Sequence, residues 1–151
     1  MIYLRKANVR DLDEIYALEL NSFHKSLQTT RNALAKNLRS SSIDVLVAVD
    51  RFYDHDKIIG CVVVSYRAKS PAGYIHSIAV DAHWRKQGIG KKLHDIAVTY
   101  AYARGKTEVQ SDVSIDNLPM IALNEKMNYR VMKIQRDYYG KGKHAYRYVN
   151  N

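Results

Sequence analysis

Apolar positions along this chain change period several times, and each change marks an element. Residues 2–6 alternate as a short strand. Leu12, Ile15, Tyr16, Glu19 and Leu20 then fall at helical spacing, with Asn8 or Asp11 available as a cap and acids in the first turn, where they complement the helix dipole. A second helix is predicted from Thr30 to about Leu38. Residues 43–49 and 58–66 are rich in β-branched side chains and read as strands, and the polar stretch 51–57 between them predicts a hairpin turn. Pro71 and Gly73 punctuate before a fourth strand at 74–81. Leu93, Ile96, Ala97, Tyr100 and Ala101 give 91–104 an amphipathic stripe, which Gly105 ends. Residues 108–113 predict a fifth strand and 120–127 a short helix. Residues 129–136 and 144–149 predict a closing hairpin around Gly140 and Gly142. The order β-α-α-β-β-β-α-β-α-β-β is that of an α+β domain with a mainly antiparallel sheet, not of a doubly wound one. With no repeat, linker or low-complexity segment, residues 1–151 read as a single domain.

Composition narrows this picture. A hydrophobic fraction of 46% and a charged fraction of 26% are those of a soluble globular domain. No apolar run approaches the roughly 20 residues of a membrane-spanning helix, and the N-terminus lacks the layout of a signal peptide. Cys61, the single cysteine, lies in an apolar run and reads as a small packed hydrophobe in a reducing, cytoplasmic compartment. Lys and Arg number 24 against 15 acids, a net charge of +9 that attracts nucleic acid, an anionic surface or a phosphate-rich cofactor without choosing among them. Twelve tyrosines against two phenylalanines bring many hydroxyls needing partners or water, which suits a wet, tyrosine-lined cleft.

The most specific stretch runs from Ile78-Ala79-Val80 through Arg85-Lys86-Gln87-Gly88-Ile89-Gly90 to Lys91 and Lys92. It reads as strand, paired-glycine loop, helix. Glycines let backbone N–H groups approach an anion with no Cβ in the way, and the following helix aims its positive end at the same place. The glycines are too close for a Walker loop, no Gly-Lys-Ser/Thr follows, and the first glycine of a dinucleotide fingerprint is missing.

Taken whole, the segment resembles the central motif of the GNAT acetyltransferase superfamily, an Arg/Gln-x-x-Gly-x-Gly/Ala loop after a strand ending in Ile-Ala-Val. Downstream, Glu108 to Asn117 and then Met120-Ile121-Ala122-Leu123-Asn124-Glu125-Lys126-Met127-Asn128-Tyr129 resemble the family's "N..AI.LYEKLGF" segment. Arg136-Asp137-Tyr138-Tyr139 and Ala145-Tyr146 resemble the tail of ribosomal-protein-alanine and archaeal protein N-terminal acetyltransferases, and Glu19 and Phe23 match their "E..SF" pattern. These motifs lie between Tyr74 and Tyr146, about half of the chain, with the first half matching in element order.

The resemblance implies a mixed, mainly antiparallel seven-stranded sheet flanked by about four helices and splayed between strands four and five. Acetyl-CoA would lie in that gap as a cosubstrate, with no metal. Backbone at Ile78, Ala79 and Val80 would bind its arm, the segment Arg85, Lys86, Gln87, Gly88, Ile89, Gly90 and Lys91 its pyrophosphate, and Asn117 its arm again. Transfer would be direct, to a protein or peptide acceptor, ribosomal proteins included, by a monomer or weak homodimer with no membrane partner. Glu19, Phe23, Tyr138 and Tyr139 would line the acceptor entrance.

Three residues are candidates for moving protons. Asp112 falls where bacterial relatives carry a glutamate base, but a solvated strand-end carboxylate is an equal reading, since an Asp near pKa 3.9 is a poor base without burial or a relaying water. Tyr74 falls at a base position of the fourth strand and stands ahead of His76, which lies two residues on along the same face and reads more readily as a packing residue. Asn124 stands where the family has its thiolate-protonating tyrosine. It can hydrogen-bond a thiolate but not protonate it, which leaves that step to water or to Tyr138 or Tyr139. A lysine or small-amine acceptor remains an alternative. So does a basic nucleic-acid-binding module, for which the tyrosines among Arg130, Lys133, Arg136, Lys141, Lys143 and Arg147 speak, although no nucleic-acid motif accompanies them.

Overall fold

The computed structural model describes residues 1–22, 29–52 and 55–150. Strand β1 (Ile2–Lys6) leads into a 3-10 turn capped by Asn8, whose side chain accepts from Arg10 N while the Asp11 carboxylate accepts from Asn8 N, each at 2.9 Å. Helices α1 (Leu12–Ser22) and α2 (Arg31–Arg39) follow, the second capped by Thr30 Oγ1 on Ala33 N. Then come β2 (Ile43–Phe52), β3 (His55–Tyr66), β4 (Ala72–Val80), α3 (Ile89–Ala103), β5 (Glu108–Ser114), α4 (Leu118–Lys126), β6 (Arg130–Gln135) and β7 (Ala145–Asn150). The seven strands form one sheet in the order β1-β2-β3-β4-β5-β7-β6. All pairings are antiparallel except β4 with β5, as the mixed α+β architecture requires.

The hairpin between β2 and β3 is tighter than its polar sequence suggests, pairing out to Phe52 opposite His55. Asp56 holds it: it takes Arg51 Nε at 2.9 Å and the Tyr3 hydroxyl at 2.7 Å, so residues that read as turn are tied into strands. Helix α3 likewise begins at Ile89, two residues earlier than its stripe indicates, because Ile89 is itself buried in the core.

Each face of the sheet has its own core. On one, α3 lays Ile89, Leu93, Ala97 and Ala101 onto Ile59, Val62, Val64, Ile75, Val109 and Val113. On the other, Ile15, Leu18 and Leu34 cover Val45, Val47, Cys61, Val63 and Ala79. Burial pushes the Cys61 thiol far above its ordinary range, which fits the packed hydrophobe expected there. Gly73 matters to the first core: a Cβ there would lie 2.9 Å from Ala101 Cβ, so its absence lets α3 settle directly on β4. The far end of α3 is pinned by Arg104, whose guanidinium bonds both oxygens of buried Asp44 at 2.9 and 3.1 Å and stacks over the Tyr66 ring.

Candidate active site

Two strands built alike on paper part company in the middle of the sheet. Parallel pairing of β4 with β5 runs from Ala72 opposite Glu108 to Ile75 opposite Ser111 and stops there. Beyond it β4 stays bonded to β3 as far as Val80, and β5 stays bonded to β7 as far as Ser114. Among the described residues, the edge of β4 from residue 76 to 80 that faces β5 therefore has no strand partner. The bond given to it is a side-chain one, Arg85 Nε donating to the Val80 carbonyl at 3.2 Å.

A bulge accompanies the divergence. Val63 pairs with Ser77 but Val64 with Ile75, so His76 is an extra residue in β4. Before it the odd-numbered Ile75 faces α3; after it the even-numbered Ile78 and Val80 do, with Ala79 on the other face. Such bulges re-aim side chains beside sites. Here the bulge turns Ile78 and Val80 to the α3 face, while Tyr74 and His76, two residues apart, open together into a cleft of about 320 Å³ on the opposite face, lined also by Ser65, Arg67, Ser70, Ala72, Gln110, Asp112, Tyr138, Tyr139 and Arg147.

Asp112 is the hub of the cleft wall. Its side chain is 3% exposed and sits directly across from Arg147 in the β5–β7 register, which forks onto it at 2.9 and 3.0 Å. Gln135 Nε2 donates to it at 2.7 Å and the Tyr74 hydroxyl donates to it as well. Tyr74 also lies 3.4 Å from the Tyr138 hydroxyl, and Arg147 sits over its ring. The carboxylate is thus surrounded by donors and paired with a fixed cation, which makes it an anchor for its neighbours. Burial raises the pKa of Tyr138 and Tyr139, and the Asp112 charge pushes both the same way, so both phenols keep their protons.

His76 differs. Its Nε2 lies 2.6 Å from Ser65 Oγ, its ring packs edge-on to Tyr74 at 4.9 Å, and its pKa is lowered by the cleft walls around it and by the Arg67 charge. It is a neutral imidazole at neutral pH, open to the cleft.

On the α3 side, Lys86 and Gly88 both take left-handed backbone, φ 61° and 83°. Gly88 supplies no side-chain cap to α3, so the first-turn N–H groups have no partner within the helix and point outward. An added Cβ at Gly88 meets nothing within 4 Å, so backbone angle rather than space calls for glycine. Lys86 and Lys92 are exposed beside this end, while Lys91 Nζ bonds Asp95 at 3.0 Å and Gln87 Nε2 bonds the His83 carbonyl at 3.3 Å.

The other expected residues are placed as follows. Asn117 is exposed and caps α4, its Oδ1 accepting from Met120 N. Asn124 is fully buried; its Nδ2 donates to the Met120 carbonyl at 2.9 Å and its Oδ1 has no partner. Glu19 is 2% exposed under α1, with Oε2 unpartnered and its carboxyl raised by burial, and does not line the cleft. Phe23 lies outside the described residues. Of the tyrosines among the C-terminal basic residues, Tyr129 and Tyr148 are buried in the core and offer no stacking surface. Ser65, Arg67, Ser70, Ala72, Gln110 and Arg147 line the cleft without sequence reasoning having brought them there. Strand register reveals two of them, Ser65 opposite Tyr74 and Arg147 opposite Asp112.

The profile of the Acetyltransferase (GNAT) family matches residues 12–129. The chain belongs to that family. Within GNAT proteins it is 29% identical over 99 residues to N-alpha-acetyltransferase 30 of Schizosaccharomyces pombe, covering 64% of this chain and 66% of that one. It is 33% identical over 75 residues to an N-alpha-acetyltransferase of Saccharolobus solfataricus, covering 49% and 45%. The chain thus spans between about half and two thirds of the length of these curated relatives. Among solved GNAT-fold structures, it superposes on Arabidopsis thaliana NAA60 in complex with acetyl-CoA with TM-score 0.85 at 22% identity, covering 99% of this chain and 98% of that one. For the ribosomal-protein-S18-alanine N-acetyltransferase from Escherichia coli the TM-score is 0.82 at 19% identity, covering 99% and 92%.

The Asp112–Arg147 pair makes a clear stability prediction. Arg147→Met should cost roughly 3–5 kcal/mol by leaving the Asp112 charge buried without its cation. The double variant Arg147→Met/Asp112→Asn should recover most of that. Urea unfolding of the three proteins checks it, and a single variant within about 1 kcal/mol of wild type would show that the pair is not held as described.

Proposed function

We propose that the protein is an acetyl-CoA-dependent N-acetyltransferase whose acceptor is the α-amine of a protein or peptide. The observation that carries this reading is the parting of β4 and β5: it opens a slot through the sheet with the uncapped start of α3 on one face and the tyrosine-lined cleft on the other. The residues present fit such a coenzyme. The unpaired edge of β4 at residues 76–80 can bond an extended amide-bearing arm, as an added strand would. The first turn of α3, with Lys86 and Lys92 beside it, suits a pyrophosphate. The orphaned Oδ1 of buried Asn124 offers an acceptor for a donor that the described residues do not provide.

Acetyl-CoA, when bound, supplies a thioester carbonyl that an amine can attack directly. The chain's part is to bring a neutral amine to it. A protein α-amino group, with pKa about 7.7–8.0, gives up its proton far more readily than lysine at about 10.4. Asp112 is tied to Arg147, and the Tyr74 hydroxyl donates a hydrogen bond to Asp112, so these residues hold the cleft wall in place. His76 is left to take the proton. With Nε2–H donated to Ser65 Oγ, the Nδ1 lone pair is free to accept from the amine, directly or through one water. Tyr138 and Tyr139, protonated, flank the path as hydrogen-bond donors. The names of the curated relatives, N-alpha-acetyltransferases in both cases, support the choice of acceptor.

Two measurements test this. Peptides bearing both a free N-terminus and an internal lysine, incubated with acetyl-CoA and mapped by fragmentation mass spectrometry, should carry acetyl on the α-amine. Acetyl predominantly on lysine would move the protein to the other acceptor class. The pH profile of kcat/KM should show, besides the rise belonging to the substrate amine, a loss of rate as pH falls through an enzyme pKa below 6.5, where His76 becomes protonated. His76→Gln should remove that limb and lower the plateau by roughly 10²-fold. An unchanged limb in that variant would reassign the base.

A further inference from the structure

The charges that line the cleft do not balance. Asp112 carries its one carboxylate, and Arg147 cancels it across the β5–β7 register. The tyrosine, serine and glutamine side chains are neutral, and His76 is uncharged at neutral pH. Arg67 remains: among the described residues its guanidinium has no hydrogen bond or ion pair, it is exposed, and its charge reaches His76 strongly enough to lower that ring's pKa.

Arg67 is also held where it is. It opens the turn between β3 and β4, which closes with Ser70 N donating to the Arg67 carbonyl at 3.1 Å. Lys106, reaching over from the connection between α3 and β5, donates from Nζ to the carbonyls of both Arg67 and Ser70 at 2.8 Å. Ser70 Oγ accepts from Ala72 N at 3.1 Å, and Thr107 N donates to the Pro71 carbonyl at 2.9 Å. The backbone that carries the free guanidinium is therefore fastened at both ends of the turn. A cation so placed gains from an incoming anion without first paying the entropy of ordering its own loop.

We propose that Arg67 makes this cleft selective for acceptors with a carboxylate near the reacting amine, an N-terminal segment with Asp or Glu at one of its second to fourth positions. The proposal rests on the α-amine reading given above. The positions follow from geometry: Tyr66, just before Arg67, pairs with Gly73, three residues along β4 from His76. At about 3.3 Å per residue that is on the order of 10 Å, the span of about three residues of extended peptide. A basic residue at the same place meets an uncompensated guanidinium and no free carboxylate in the lining, so the cleft also discriminates by repulsion.

The test is a set of peptides identical except for Asp, Asn or Lys at positions two, three and four, with kcat/KM measured for wild type, Arg67→Gln and Arg67→Glu. At one position at least, wild type should favour Asp over Lys by about tenfold, and 0.5 M salt should shrink the ratio, as expected of a partly exposed charge. Arg67→Gln should bring the ratio towards one and Arg67→Glu should invert it, with melting temperatures unchanged. Equal kcat/KM across the wild-type set, while the Asn peptides are acetylated, overturns the selectivity and leaves the acceptor class standing. So does a ratio that survives Arg67→Glu. No transfer to any of the α-amines, the Asn peptides included, overturns the acceptor reading and this one with it.

Discussion

The parallel pairing of β4 with β5 lasts four residue pairs, and the rest of the site hangs on where it stops. A parallel ladder needs a crossover, here α3, and the loop into that helix must turn sharply to bring it back over the sheet. Lys86 and Gly88 make the turn with left-handed backbone, which leaves the start of α3 uncapped beside the open edge of β4. The unbonded edge and the uncapped helix are two products of one topological event. Isolated, either would be a defect in a folded chain, since backbone donors and acceptors rarely go unpaired. Side by side they make a slot whose polar groups are arranged for a ligand. Gly73 and the Arg104–Asp44 link keep α3 close to the sheet, so the slot is held from behind.

Across the sheet, the tyrosine-lined cleft is rigid for a different reason. Its wall is a polar network centred on Asp112, with donors from β4, β6 and β7. A carboxylate so fully engaged positions Tyr74 and, through its ring, His76, and under the proposed function the proton transfer falls to the imidazole that the network leaves free. Labour would then be divided between two residues of one strand, Tyr74 as a fixed part of the wall and His76, two residues on, as the base. The two share a side by the alternation of the strand, and the bulge at His76 turns the residues that follow, Ile78 and Val80, to the α3 face.

Much of this was legible in the sequence, and the parts that were not share a cause. The elements emerged from period alone, because α3 and the strands it covers bury continuous apolar stripes. The phosphate-type loop was legible because its glycines, basic residues and flanking strand form one contiguous string. Asp112 and Tyr74 could be named as candidates for moving protons but not recognised as partners in one wall, since that depends on residues far along the chain. Arg147, 35 residues from Asp112, meets it only through the β5–β7 register. Ser65 meets His76 only through the β3–β4 register and its one-residue slip, which no alternation pattern announces. Helix and strand periods are local; bulges and cross-strand pairs are not.

Hydrogen exchange of backbone amides, with and without acetyl-CoA, tests the central claim most directly. The account predicts slowed exchange at two places, the amides of Ile78 and Val80, which alternate away from β3 toward the open edge of β4, and the loop and first turn of α3 at residues 87–91, where amides have no strand or helix partner until a ligand supplies one. Binding that leaves both segments unchanged, or that protects the β6–β7 hairpin in their place, would contradict it.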